Sequence, residues 1–268
     1  GLALDRPQIM GIVNVTPDSF SDGGQFRGSH LAAIDHGLRL AEQGASILDV
    51  GGESTRPGAA PVTLQDELDR VLPVVEELAR EGLIVSIDTR HAEVMRQAAE
   101  VGAKIINDVT ALTGQGSLEA AAATGLPVIL MHMQGEPQTM QANPVYDDVV
   151  VDVAAYLTDR AKACQGACIS AHDICLDPGI GFGKTLEHNL ALLNKLDHLC
   201  AQGFPVLMGL SRKSFIAKID QGAPADKRLP GTIAGNLLAY ERGARIFRVH
   251  DVAEAKQAFD VWTTALLY

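Results

Sequence analysis

The chain has 268 residues, of which 47% are apolar and 21% charged, with a net charge of −11. That apolar share is ample for the core of one large domain or two small ones and excludes a disordered chain. Four Cys in this length exclude a disulfide-stapled miniprotein. With 33 acidic against 22 basic residues, the global basic field of a non-specific nucleic-acid binder is excluded as well.

The longest run without Asp, Glu, Lys or Arg, Ala120 to Gly135, is broken by Gly125, Pro127 and His132 and is too short to cross a bilayer. No signal peptide is visible. The expectation is a cytoplasmic protein in a reducing setting, with free thiols and no membrane or nucleic-acid partner.

From the N-terminus, QIMGIVNV (8–15) reads as a first strand. A pattern then recurs: a helical stretch ends at Gly and an apolar run follows. It appears at 41–50, 80–88, 99–109 and 122–132, and again at 201–211 and 241–250. The glycines fit helix C-caps, and the runs fit parallel strands covered on both faces. With DICLDP (173–178) the strands number eight. The segments between them have helical periodicity. Leu31, Ile34, Leu38 and Ala41 share one face. Leu64, Leu68, Val71, Val75 and Leu78 share another, behind a Thr63 N-cap. Val252, Ala255, Phe259, Trp262 and Leu266 form a last stripe, wide enough for core or for a subunit interface.

Eight strand–helix units in a chain of this length predict an α/β fold, a single (β/α)8 TIM barrel over residues 1–268. A doubly wound sheet is the rival, but it lacks its GxGxxG fingerprint. Long links follow strand 1 (14–28), strand 2 (51–62), strand 5 (133–144) and strand 7 (211–229). A barrel builds its site from the loops after its strands, so the polar residues at those ends are the ones to read.

Asp88, Asn107 and Asp177 end strands 3, 4 and 6. Two carboxylates and an amide suit a planar heterocycle with several N–H donors. A metal site or an acid/base pair are the alternatives. Arg56, Lys213, Arg248 and His250 form a cationic group suited to a phosphate or diphosphate. Asn14 could give one oxygen to a hard cation completed by that anion. Asp18 and Asp108 read as local caps. DPGIGFGKT (177–185) falls one residue short of a P-loop spacing, so it reads as a loop that brings backbone to a ligand, with Phe182 as an aromatic wall. Met131 reads as a pocket wall. Cys164 and Cys168 lack a second close pair for zinc. Six further His residues, among them His91 and His188, carry no signal.

NVTPDSFSDGG (14–24), DVGGESTRPGA (49–59), SIDT (86–89), INDV (106–109), DPGIGFGKT (177–185), GLSRKSF (209–215) and RVHDV (248–252) stand in this order along the chain. Together they resemble the dihydropteroate synthase family of bacterial folate biosynthesis. The resemblance implies a transferase that condenses 6-hydroxymethyl-7,8-dihydropterin diphosphate with p-aminobenzoate, with Mg²⁺ as cofactor. Asp88, Asn107, Met131, Asp177, Lys213 and Arg248 match the pterin site. Asn14, Thr55, Arg56, Arg248 and His250 match the diphosphate site, with Asn14 as the metal ligand. Thr55, Arg56, Pro57, Phe182, Lys213 and Ser214 match the p-aminobenzoate pocket. Asp88, Lys213, Arg248 and Asp177 are the catalytic candidates, and a homodimer is usual. A non-catalytic pterin-binding paralogue and a pterin-dependent methyltransferase domain are the alternatives. The long loops after strands 1 and 2, rich in Gly, Ser, Asp and Pro, are predicted to be mobile in the empty enzyme.

Overall fold

The computed structural model describes residues 3–15, 26–53, 62–135, 140 and 144–267. Among them, strands and helices alternate. They run β1 (Gln8–Asn14), α1 (Phe26–Glu42), β2 (Ile47–Gly51), α2 (Leu64–Arg80), β3 (Val85–Asp88), α3 (Ala92–Glu100), β4 (Ile105–Asp108) and α4 (Ser117–Thr124). β5 (Val128–Met131), α5 (Val149–Gly166), β6 (Ile174–Asp177), α6 (Leu186–Asn194), α7 (Leu196–Cys200) and β7 (Leu207–Met208) follow. The chain continues through α8 (Ser214–Ile219), α9 (Leu229–Glu241), β8 (Ile246–Val249) and α10 (Val252–Ala265). Every strand pair is parallel, in the order β6-β5-β4-β3-β2-β1-β8-β7. A bridge between Leu176 and Val206 joins the two edges, which makes the sheet the expected (β/α)8 barrel.

The punctuation read from the sequence is present. Gly102 ends α3 with φ +116°, and a Cβ there would lie 2.7 Å from that of Ala79, so both conformation and space require glycine. Thr63 caps α2, its hydroxyl accepting from Asp66 N at 3.1 Å. Leu68, Val71, Val75 and Leu78 are buried as expected, whereas Leu64, read on the same face, is 43% exposed at the start of the helix.

Other expectations are corrected. On α1 the buried stripe is Ala33, Gly37 and Leu40, with Ile34 and Leu38 at its margins, while Leu31 is 64% exposed. A Cβ on Gly37 would lie 2.9 Å from Leu78 Cδ1. Close approach to α2 therefore selects the small residues, and the face turns away from Leu31. The link after strand 7 is no open loop, since α8 and a 3₁₀ turn at Ala225–Lys227 occupy it. The stripe on α10 divides. Val252, Ala255 and Phe259 enter the core, Phe259 packing against Phe247 at 4.5 Å between centroids. Trp262 is half-buried and Leu266 exposed.

Two cores result. Branched residues from the outer faces of the strands and the inner faces of the helices form the large one. A small one of Met10, Ile47, Ile129, Cys175, Leu207 and Ile246 fills the barrel. Strand side chains alternate, so the residue two places on from each of these again points inward, nearer the carboxyl ends. Ile47 leads to Asp49, Ile129 to Met131, Cys175 to Asp177 and Ile246 to Arg248, and Ile105, half-buried against the same plug, leads to Asn107. Register places Gly51 beside Asp88 and Asp88 beside Asn107. The apolar plug is thereby the floor on which a polar layer stands.

Candidate active site

Arg248 is the hub of that layer. Its Nε donates to Asp49 Oδ2 at 2.6 Å and its Nη2 to Asp88 Oδ2 at 2.8 Å. Asn107 Nδ2 donates to the same Asp49 oxygen at 3.1 Å. Burial raises the Asp88 carboxyl to about 7, with repulsion from Asp49 adding to the shift and Arg248 opposing it. Burial alone would lower the Arg248 guanidinium, but Asp49 and Asp88 on either side carry it above its ordinary value.

β6 and its loop build the next wall. Asp177 Oδ1 accepts from Gly179 N at 2.7 Å, which turns the chain sharply after the strand. A Cβ on Gly179 would fall 2.0 Å from the His132 carbonyl oxygen, so the loop can lie against β5 only with glycine there. Burial pushes the Asp177 carboxyl up, and Lys213 opposes the shift. Lys213 Nζ sits 4.5 Å over the Phe182 ring and donates to Ile180 O. Burial brings its ammonium down to about 8. Phe182, read from the sequence as an aromatic wall, is a seat for the lysine. Met131 is buried beside this loop.

At the mouth, His250 N donates to Ser211 Oγ at 3.1 Å, and that hydroxyl lies 2.9 Å from His250 Nδ1. Ser214 is exposed on the first turn of α8, next to Lys213. Asn14 closes β1, half-buried and paired with Gly51. Thr55, Arg56, Pro57 and Asp18 lie outside the described residues, as does most of the link after strand 1. Asp108 is the local cap expected of it, accepting from Thr110 N at 2.7 Å and Leu112 N at 3.0 Å.

Buried charge went unread in the sequence at three places. Asp49 is fully buried inside β2, where a carboxylate at even spacing from the strand's inward-facing Ile47 was the available signal. Lys184 is 1% exposed, donating to Phe182 O at 2.9 Å and to His132 Nδ1 at 2.9 Å. Burial takes its ammonium down to about 7, and burial with Lys184 alongside takes His132 down to about 3. Glu67, buried on α2, holds His91 Nδ1 at 2.5 Å. His91 and His188, read as silent, therefore have structural partners; His188 completes a capping box with Thr185. Glu53 receives two bonds of 2.9 Å from Arg90 at the root of the link that carries Thr55 and Arg56.

The layer interleaves acceptors, from Asp88, Asn107 and Asp177, with cations, from Lys213 and Arg248. A flat ring that carries both N–H donors and an attached anion matches that mixture.

The profile of a family described as pterin binding enzyme matches residues 10–250. Dihydropteroate synthase of Escherichia coli K12 is 50% identical over 97% of this chain and 92% of its own length. Among solved structures, Xanthomonas albilineans dihydropteroate synthase with 4-aminobenzoic acid superposes with a TM-score of 0.94 at 50% identity, covering 100% of this chain and 96% of that one. The same enzyme in complex with 7,8-dihydropteroate gives a TM-score of 0.91 at 47% identity, covering 100% and 96%. Site geometry, family profile and relatives matched over nearly their whole length lead to one conclusion: this chain belongs to the dihydropteroate synthases, transferases of the pterin binding enzyme family.

Proposed function

We propose that the polar layer is where this transferase condenses 6-hydroxymethyl-7,8-dihydropterin diphosphate with p-aminobenzoate. Asp88, Asn107 and Asp177 accept from the ring's N–H donors, with Met131 against its face. Arg248 and His250, with Thr55 and Arg56, hold the diphosphate. Lys213, Phe182 and Ser214, with Pro57, line the p-aminobenzoate side. The observation that carries this assignment is the Asp49–Arg248–Asp88 chain, which joins one guanidinium to two carboxylates across β2, β3 and β8.

Chemistry follows from the charges. As the bond from the methylene carbon to the diphosphate oxygen breaks, positive charge spreads into the dihydropterin ring. Asp88 and Asp177, fixed beside that ring, stabilise the cation without reorganising. Lys213 and Arg248 stabilise the departing anion. The aniline nitrogen then attacks the methylene carbon and releases a proton, which needs neither a covalent nucleophile nor a strong base.

Mg²⁺ fits the donors present. Among the described residues no three His, Cys, Asp or Glu converge on a common point. Asn14 instead offers one neutral oxygen at the mouth, which suits a cation ligated mainly by diphosphate oxygens and water. Bound there, Mg²⁺ would neutralise charge on the diphosphate.

We further propose a single-domain cytoplasmic enzyme acting as a homodimer. No described helix is long and apolar enough to cross a membrane. A groove between α9 and α10, lined by Leu229, Ile233, Leu237, Val261 and Trp262, is the apolar surface that a second copy would cover. Turnover of the diphosphate with p-aminobenzoate, run with and without excess chelator, tests the function and the metal together. Product only in the absence of chelator is expected. No product in either case would overturn the assignment, and equal product in both would remove the metal.

A further inference from the structure

Asp49 is absent from the site residues named above as touching substrate, yet it is fully buried and holds two of them. Its Oδ2 accepts from Arg248 Nε at 2.6 Å and from Asn107 Nδ2 at 3.1 Å. Its Oδ1 is buried without a hydrogen-bond partner among the described residues. A buried anion is costly to retain, and a carboxylate facing a guanidinium can only accept. The Asn107 amide therefore has one permitted orientation. Its NH₂ must face Asp49, which leaves its carbonyl oxygen as the group it can offer a ligand's donor. No hydrogen bond from the described residues engages that oxygen.

We propose that Asp49 is a positioning residue that sets specificity: by locking the Asn107 amide and the Arg248 fork, it makes the site select a ring edge that donates rather than one that accepts. An asparagine amide in a symmetrical environment could flip to suit either kind of edge. Asp49 removes that freedom before the ligand arrives, so a ring with a carbonyl in place of the amino group is rejected by an unflippable acceptor. The inference rests on the assignment of Asn107 and Arg248 to the pterin site.

The test compares the binding of 6-hydroxymethylpterin with that of its 2-oxo (lumazine) counterpart by calorimetry, in the wild type and in Asp49→Ala, Asp49→Asn and Asn107→Ala. Asp49→Ala should weaken the pterin about tenfold or more and lower the preference for it over the lumazine about fivefold. Asp49→Asn should restore both to within about threefold of wild type, because its amide oxygen can take the place of Oδ2. That rescue separates an acceptor's role from a charge's. A costly Asn107→Ala beside a harmless Asp49→Ala would overturn the inference alone. A harmless Asn107→Ala would overturn the site assignment and the inference with it. Should Asp49→Ala fail to fold, the ligand-free wild type still decides. With ¹⁵N-asparagine labelling, the side-chain NH₂ signal missing from Asn107→Ala should persist after transfer to D₂O, and rapid loss of that signal would refute the lock.

Discussion

Two layers lie inside the barrel, two residues apart along β2, β6 and β8, and they obey different rules. The lower one, with Met10, Ile47, Ile129, Cys175, Leu207 and Ile246, is apolar and no residue in it is more than 7% exposed. The upper one, with Asp49, Asp88, Asn107, Asp177 and Arg248, is almost entirely charged or polar. Burial affects both, with opposite results. Below, it stabilises side chains that ask only for contact. Above, it raises the energy of every charge not matched by a partner, so each residue needs a specific neighbour at a specific atom. Cys175 and Asp177 show the contrast within one strand. Burial raises both groups above their ordinary values, yet the thiol is thereby kept inert while the carboxyl is left beside Lys213. If the lower layer carries stability and the upper layer the proposed chemistry, substitutions should separate the two.

The largest separation is expected at Asp88. Asp88→Asn should lower kcat/KM by about 10²-fold, since it loses the anion beside the developing cation and offers a donor where the ring also donates. Its thermal midpoint should not fall, because Arg248 keeps Asp49 and the neutral amide removes the burial cost that raises the Asp88 carboxyl. Kinetics beside thermal denaturation would show it, and full activity with a lowered midpoint would put Asp88 with the structural layer.

Leu207→Ala is the converse. It should lose about 2–5 kcal/mol of stability through the cavity it opens, while kcat/KM per folded molecule stays near wild type. Denaturant titration measures the first and burst-corrected kinetics the second.

The pH profile should report the upper layer alone. Ring binding needs ionised Asp88, so kcat/KM should fall about tenfold per unit as pH drops below about 7. It should fall again above about 8 as Lys213 loses its charge. The sign for stability is opposite to that of an ordinary salt-bridged carboxylate. Folded Asp88 binds a proton up to about 7, whereas the unfolded side chain releases it near 3.8, so its contribution to stability declines as pH rises between those values. Asp88→Asn should remove both the acid limb and that slope.

A smaller effect concerns the links after strands 1 and 2. p-Aminobenzoate should bind the free enzyme weakly, and about tenfold tighter once pterin, diphosphate and Mg²⁺ are present, because Thr55, Arg56 and Pro57 sit on the second link. Equal affinity by calorimetry in both states would show a preformed pocket. Sulfonamides, as mimics of p-aminobenzoate, should follow the same dependence.

Local chemistry was legible wherever it depends on neighbours in the chain. Gly102 ends a helix because only glycine tolerates that φ, Thr63 begins one because its hydroxyl reaches Asp66 N, and Asp108 caps its own loop. The eight apolar runs and their polar ends determined the barrel and pointed to Asp88, Asn107, Asp177, Lys213 and Arg248, because period-two alternation in a closed parallel sheet leaves little choice of which end holds the site. Tertiary structure decided the rest. Leu31 looked like core by its spacing, but the contact of Gly37 with Leu78 turns the helix another way. Lys184 drew no reading of its own within the glycine-rich run, yet the loop folds it under against His132. Asp49 sat within an apolar run, and its meaning depends on Arg248, 199 positions away. A sequence read along the chain records propensities over a few residues. Which distant charge will share a buried space, and so be tolerated there, is settled only when the barrel closes.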